Sequence, residues 1–530
     1  MKITGYRAAV GILALASMLG TSGCTDVLVE PKSTVTGANV FADPSAYRAF
    51  LAKLYAGLAV SGQQGPSGQG DIEGIDEGFG QYIRGLWQLQ ELPTEEAVIG
   101  WGDAGLPELV TLQWASSNQF VTAMYYRIFY QISLANEFLR ETTDAKLTER
   151  GVSDALRAEI RQYRAEARWL RALSYWHAID FFGNVPMVDE EFPIGATPPP
   201  QGERSDIFAF LESELLDIRD DLPSVGMADY GRADQGSLAM LLAKLYLNAE
   251  VYGAGDRYAD AMNEAATVIG GPYTLDDVYQ HLFLADNHTS PEIVFAVPFD
   301  GTRTQTWGGT TFLVAAAIVG DMDPAPYGTN EKWNGLRVTQ QFVGLYEGGA
   351  NGPDQRAAIF HTPGQSLTVT AIDNANSGYG YPKYRNVTST GQNGSNSRHP
   401  DTDYPMFRLA DAYLIYAEAC LRSGGGGCLG TALGYVNQVR QRAYGDDSGD
   451  ITVGELTLDF ILDERGRELG WEGHRRTDLV RYGLFTGGEY LWAFKGGVAS
   501  GQAVEESRDL YPIPATEMLA NPNLVQNPGY

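Results

Sequence analysis

Cysteine is scarce: the 530 residues hold three, at positions 24, 420 and 428. So few thiols exclude a disulfide-dense scaffold, and no Cys-x-x-Cys pair is present to suggest a redox or zinc module. Histidine is nearly as rare. His177, His281, His288, His361, His399 and His474 are scattered without ligand spacing, and His177 and His474 fall in helical segments where a hydrogen-bonded structural role fits better. Basic charge is also short, with 38 Lys and Arg against 66 Asp and Glu and a net charge of −28. Nucleic acid and anionic lipid surfaces need concentrated positive charge, and no basic run supplies it, so both are set aside as partners. His-Glu-x-x-His, the phosphate-loop lysine pattern and the Gly-x-Ser-x-Gly elbow are missing as well. No catalytic residue, metal ligand or cofactor is therefore assigned. A carboxylate pair for glycoside hydrolysis is not singled out, because 66 acidic residues offer too many candidates.

Long apolar runs are missing beyond the first residues. At the start, Lys2 and Arg7 precede the short apolar stretch Ala8 to Leu19, and Thr21-Ser22-Gly23 lead into Cys24. A spanning helix needs about 20 apolar residues, and this run is shorter and broken by Gly11, so it reads as a removable signal. The order of charge, apolar stretch and small residues resembles a bacterial lipoprotein signal over residues 1–23, with lipidation expected at Cys24. The polar stretch 24–40, punctuated by Pro31 and Gly37, reads as a tether between lipid and globule. With Cys24 lipidated, Cys420 and Cys428 remain as an even pair in an oxidising compartment, which favours a disulfide across the Ser423 to Gly427 turn, with two free thiols as the alternative.

What the chain has in quantity is helical periodicity, with 44% apolar residues to bury. Residues Pro44 to Ala59 place Tyr47, Phe50, Leu51, Leu54, Tyr55 and Leu58 at helical spacing after Asp43. The clearest helix runs from Asp154 to Phe182, where Gly183 ends it and Pro186 forbids a restart; Asp206 to Asp220 follows. Two later pairs, Ser237 to Tyr252 with Arg257 to Ile269 and Phe407 to Leu421 with Thr431 to Ala443, match in detail. Leu242-Ala243-x-x-Tyr246-Leu247 corresponds to Leu409-Ala410-x-x-Tyr413-Leu414. Small Ala and bulky Tyr on a first helix, followed by an Ala-rich second, suit the close stacking of tetratricopeptide-like hairpins. Between Gly271 and Tyr404 the composition shifts to Gly, Asn, Thr, Pro and aromatics, with short strand-like runs such as Glu292 to Val297. The expected fold is thus dominated by α-helix: one domain over 41–530, with a hairpin platform from about 41–270 and 405–490 and an irregular, loop-rich insertion over about 271–404.

Two stretches mimic active sites. Gly100-Trp101-Gly102-Asp103-Ala104-Gly105 satisfies the dinucleotide pattern literally, but only Ala97-Val98-Ile99 precedes it, Pro107 follows and no βαβ alternation surrounds it. The charged run Ile461 to Arg475 alternates signs at three- and four-residue spacing, which suits ion pairs that position neighbouring elements.

Several blocks together resemble the SusD/RagB family of outer-membrane nutrient-binding lipoproteins. They are Arg168-Trp169-Leu170-Arg171-Ala172 through Phe181-Phe182-Gly183-Asn184-Val185-Pro186, Gly231-Arg232-Ala233, Leu242-Ala243-Lys244-Leu245-Tyr246, and Tyr416-Ala417-Glu418-Ala419. Glu464-Arg465, Glu472-Gly473-His474-Arg475, Asp478-Leu479, Tyr511-Pro512-Ile513-Pro514 and the end of the chain from Asn521 to Tyr530 continue the order. The resemblance implies a surface lipoprotein anchored in the outer membrane and facing the cell exterior. It further implies an irregular face that holds an oligosaccharide or, in some members, a peptide, and a partner, a SusC-like TonB-dependent transporter, which the protein caps as a lid. A surface glycoside hydrolase and a helical scaffold that binds only protein remain the competing classes.

The ligand surface is expected where the loop around Trp101 meets the insertion carrying Trp307, Tyr327 and Trp333. Sugars present apolar C–H faces ringed by hydroxyls, so flat aromatic faces beside short polar groups suit them. Asp103, Thr306 and Thr310 are the polar candidates in those loops, and glycines flanking Trp101 and following Trp307 mark exposed turns.

Overall fold

The computed structural model describes residues 40, 41, 43–195 and 197–530. The signal, Cys24 and nearly all of the tether lie outside them. The chain divides into two units, Met1–Ala46 and Tyr47–Tyr530. In the first, the Asp43 carboxylate accepts a 2.9 Å hydrogen bond from the Ser45 amide and starts a helix. The second holds the rest of the fold.

The principal elements are α1 (Ser45–Ala59), α2 (Tyr82–Glu91), β1 (Val98–Ile99), α3 (Gln119–Glu141), α4 (Asp154–Phe182), α5 (Arg204–Asp217), α6 (Gln235–Leu247) and α7 (Tyr258–Ile269). They continue with β2 (Ile293–Val297), α8 (Gly309–Ala316), β3 (Leu336–Arg337), β4 (Tyr404–Arg408), α9 (Leu409–Arg422), α10 (Leu429–Tyr444), α11 (Leu458–Leu469) and α12 (Arg475–Arg481). The fold is helix-dominated, as the periodicity predicts. Helix α4 begins where the Ser153 hydroxyl caps the Leu156 amide and ends at Gly183, whose φ of 67° a side chain would resist. It packs against α3 and α5 and buries Trp169, Leu170, Leu173, Ile179 and Phe181, with the Trp169 ring set against Phe295 and Phe407. The 23-residue helix α3 is missing from the sequence expectation. Its signal is present all the same: Asn118 caps the Phe120 and Val121 amides, and Val121, Tyr125, Ile128, Ile132 and Leu139 lie on its buried side.

Helices α6 and α7 form one hairpin, α9 and α10 the next, and α7 packs directly on α9 although 139 residues separate Ile269 from Leu409. The strand pair β2–β4 explains this. It runs antiparallel with Val297 opposite Tyr404 and Ile293 opposite Arg408, so the two ends of the insertion are pinned side by side and the helix stack continues across it. Phe407 and Arg408, expected in the helix, belong to β4, because Phe407 pairs with Phe295 across the ladder. Helix α6 stops at Leu247 rather than Tyr252, where the Asn248 amide side chain turns back to the Lys244 carbonyl at 2.9 Å. The insertion also contains α8 and short 3-10 turns where only strand-like runs are expected.

The charged run around α11 lies inside the molecule. Arg408 contacts Glu472 and Glu468 at 2.6 Å and Glu292 at 2.8 Å, and all four side chains are buried. Arg356 joins Asp354 at 2.6 Å and Glu464 and Glu468 at 2.8 Å; Arg465 joins Asp411 and Asp478. Burial alone would raise Glu464, but Arg356, Arg467 and Arg440 hold it down to about 2. These charges bridge α9, α11, α12 and the insertion, a structural use, as the alternating signs suggest. Cys420 and Cys428 are disulfide-bonded across the α9–α10 turn, with Cα atoms 5.9 Å apart.

Candidate functional site

Strand β1 pairs antiparallel with β3, Val98 opposite Arg337 and Ile99 opposite Leu336, and the Gly100 amide extends the ladder to the Gly335 carbonyl at 2.9 Å. The glycine-rich stretch therefore leaves a two-residue ribbon and holds Trp101 beside the insertion, an arrangement unrelated to a dinucleotide fold. Gly335 is required there. A Cβ on it would stand 2.7 Å from Cζ2 of Trp101.

Three indoles meet at this point. Trp101 donates its Nε1 hydrogen to the Trp333 carbonyl at 3.0 Å, and their ring centroids lie 6.2 Å apart with planes tilted by 54°. Trp333 and Trp307 are 6.1 Å apart and tilted by 57°. All three are half-buried. The backbone of Trp333, Asn334 and Gly335 is laced to the carbonyls of Ala315, Ile318 and Ala316 at the end of α8, which fixes the central indole.

Side chains that the sequence does not advertise complete the frame. Arg84 of α2 is buried, stacks over Phe312 at 4.5 Å and Trp101 at 5.6 Å, and donates to the Trp307 carbonyl at 3.0 Å. Burial lowers its pKa to about 10, with Asp76 and Asp103 opposing, so it stays charged at neutral pH. Glu331 accepts from Trp333 Nε1 at 2.9 Å and from Arg398 Nε at 2.6 Å, while Arg398 and His399 flank the Trp307 ring at 5.8 and 5.1 Å. Burial pushes the Glu331 carboxyl up, but these two donors outweigh it and hold it below its usual value. Burial also lowers His399. Arg84, Glu331, Arg398 and His399 carry no local motif, and only the fold brings them together.

Asp103 is exposed beside Trp101. Tyr327 is half-buried on a separate turn, packed against Ile318, Val319 and Met322 with the Arg385 guanidinium 5.4 Å from its ring centre. The Asn334 amide donates to the Ile318 carbonyl at 3.1 Å, which places this patch next to the Trp333 turn. Thr306 and Thr310 are corrections to the expectation: both are buried, Thr306 accepting from the Gly308 amide at 3.1 Å and Thr310 lying inside α8, so neither presents a hydroxyl to a ligand. Among the described residues no group of three or more His, Cys, Asp or Glu could hold a metal ion, and no helix is long and apolar enough to cross a membrane.

The fold is thus one of stacked helical hairpins, and three half-buried indoles meet where β1 joins the insertion. A family model described as the SusD family matches residues 362–530. The starch-binding protein SusD of Bacteroides thetaiotaomicron is 32% identical to this chain over 98% of each. The chain belongs to the SusD family, whose members are binding proteins and not enzymes. Solved structures agree on the fold. Surface glycan-binding protein A from Bacteroides thetaiotaomicron superposes with a TM-score of 0.71 at 21% identity, covering 93% of this chain and 100% of that one. The surface glycan-binding protein A determined in complex with laminarihexaose, from the same organism, gives 0.68 at 20% identity over 91% of this chain and 98% of its own.

Proposed function

We propose that this protein is a lipid-anchored surface protein that captures a glycan on the Trp101–Trp333–Trp307 platform and delivers it to a TonB-dependent outer-membrane transporter. The observation that carries the reading is the meeting of three half-buried indoles from two distant parts of the chain. Indole faces stack on the C–H faces of pyranose rings, and Asp103 is free to accept from ring hydroxyls. Successive tilts of 54° and 57° mean that no flat strip is offered. A straight ribbon-like polysaccharide cannot lie flush on all three rings, whereas a bent chain or a chain end can. Tyr327, on the patch that also holds the neighbouring Asn334 amide, would meet a ligand extending beyond the indoles. A relative named for binding starch and a structural neighbour solved with laminarihexaose support a glucan as the first ligand to try. Transporter delivery, lipidation at Cys24 and an outward-facing position follow from family membership and the signal resemblance.

Retention on immobilised polysaccharides tests the binding half. The protein should be retarded by at least one glycan and leave labelled oligosaccharide unchanged in length; release of shorter products would instead make it a hydrolase. Co-purification from native membranes tests the other half, with a TonB-dependent barrel as the expected partner and isolated protein at endogenous expression as the contrary result.

A further inference from the structure

A cavity of ligand size lies elsewhere among the described residues. It has a volume of about 520 Å³ and lies between α1, the Gly62–Gly65 loop and the segment Pro298–Gln305. Its floor is the α1 face made by Leu51, Ala52, Tyr55, Ala56 and Ala59. Three guanidinium groups, Arg48, Arg232 and Arg303, reach its lining, and not one Asp or Glu does, in a chain with 66 acidic residues against 38 basic. That inversion of the molecule's charge balance, at a cavity of ligand size, is what calls for an occupant.

The three arginines are not equivalent. Arg232 is committed: its guanidinium lies 3.0 Å through Nε from the buried Glu166 carboxylate, which also accepts from the Tyr55 hydroxyl at 2.6 Å. Glu166 is thereby neutralised beneath the floor. Arg303 is 86% exposed, and its only partner among the described residues is Asp300 at 3.9 Å, a surface contact of little strength. Arg48 is exposed and has no ion-pair partner among the described residues. The cavity therefore joins an apolar helix face to two uncommitted positive groups at its rim.

We propose that this cavity is a second binding site, separate from the indole platform, for a small amphipathic carboxylate: an apolar body of one to three rings on the α1 face, with its anionic end between Arg48 and Arg303. A neutral sugar is a poor occupant, because the floor offers methyl groups in place of acceptors. The wall of the cavity is also the root of the platform. A Cβ on Gly65 would stand 2.0 Å from the Gln305 carbonyl oxygen, so this loop abuts the chain two residues before Trp307.

Calorimetric titration of the full chain with biphenyl-4-carboxylate, its neutral amide and glucuronate tests the proposal. The carboxylate should bind, with its Kd raised at least tenfold in the double variant Arg48→Gln/Arg303→Gln and again in Ala56→Phe, which fills the floor. It should bind Trp333→Ala as it binds the parent, which separates this site from the platform. Amide or glucuronate binding as tight as the carboxylate would overturn the proposal, as would an unchanged Kd in the double variant or no heat from any of the three. Both arginines are exposed, so the double variant should unfold at the parent's midpoint.

Discussion

At the scale of single residues, Gly335 and His177 make the sharpest demands. Gly335 lets the Trp101 ring lie on backbone, and the Cβ of Gly335→Ala would sit 2.7 Å from that ring. The indole must move, while the core around α4 is untouched. Gly335→Ala should weaken glycan retention on the platform by about fivefold or more, at roughly 1 to 3 kcal/mol of overpacking cost in stability. Retention equal to the parent's would show that Trp101 is not held where the ligand needs it. His177 is buried against the Tyr82 hydroxyl at 2.8 Å, and burial lowers its pKa from 6.5 to about 3. A base depressed in the folded state contributes stability that is full above pH 6.5 and is lost as pH falls toward about 3, at up to about 1.4 kcal/mol per pH unit. Glu91 has the opposite sign, since burial raises it to about 7 and its contribution is lost as pH rises from 4.5. Urea unfolding of parent and His177→Gln at pH 7 and 5 isolates the first effect. The stability difference between the two proteins should shift in favour of the variant at pH 5; a constant difference would mean that His177 is charged in the fold.

At the scale of elements, much of the helical part is legible in sequence. Asp154 to Phe182 matches α4 end to end, because a capping Ser153, a 3.6-residue stripe and a terminal glycine all agree. The match of Leu242-Ala243-x-x-Tyr246 with Leu409-Ala410-x-x-Tyr413 identifies two hairpins that prove adjacent in space. What escapes is non-local. Phe407 reads as helical by spacing, and only its pairing with Phe295 makes it strand. In the site, Trp101 and Trp307 are legible because glycine surrounds them, whereas the buried Arg84 looks like any charge on a helix. Thr306 and Thr310 mislead for the same reason in reverse, since both short polar residues next to the half-buried Trp307 ring point inward. The α9–α10 turn supplies an element-scale prediction. Its bond closes a short loop, with Cys420 and Cys428 eight residues apart in sequence, so replacing both by Ser should cost about 2.5 kcal/mol in unfolding free energy and leave glycan binding unchanged. An unfolding curve that does not move would show the bond to be dispensable.

At the scale of the whole molecule, the architecture separates two tasks. Helical hairpins and an internal ion network, in which Arg356, Arg408 and Arg465 each answer two or three carboxylates, hold the framework. Removal of one partner from such a buried set costs about 3 to 5 kcal/mol, so the framework tolerates little change. The insertion, pinned at its ends by β2 and β4 and tied to the network through Asp354 and Arg356, supplies two of the three indoles.

Trp333 is the centre of the proposed platform, next to both other indoles, and it gives the most direct test. The full chain and Trp333→Ala should be titrated calorimetrically with whichever oligosaccharide the immobilised panel identifies, starting with maltohexaose and laminarihexaose. The account predicts a loss of about 1 to 3 kcal/mol, roughly 5- to 150-fold in Kd, with the unfolding midpoint close to the parent's. Equal affinity in the variant and the parent would contradict it, and the glycan would then bind elsewhere on the molecule.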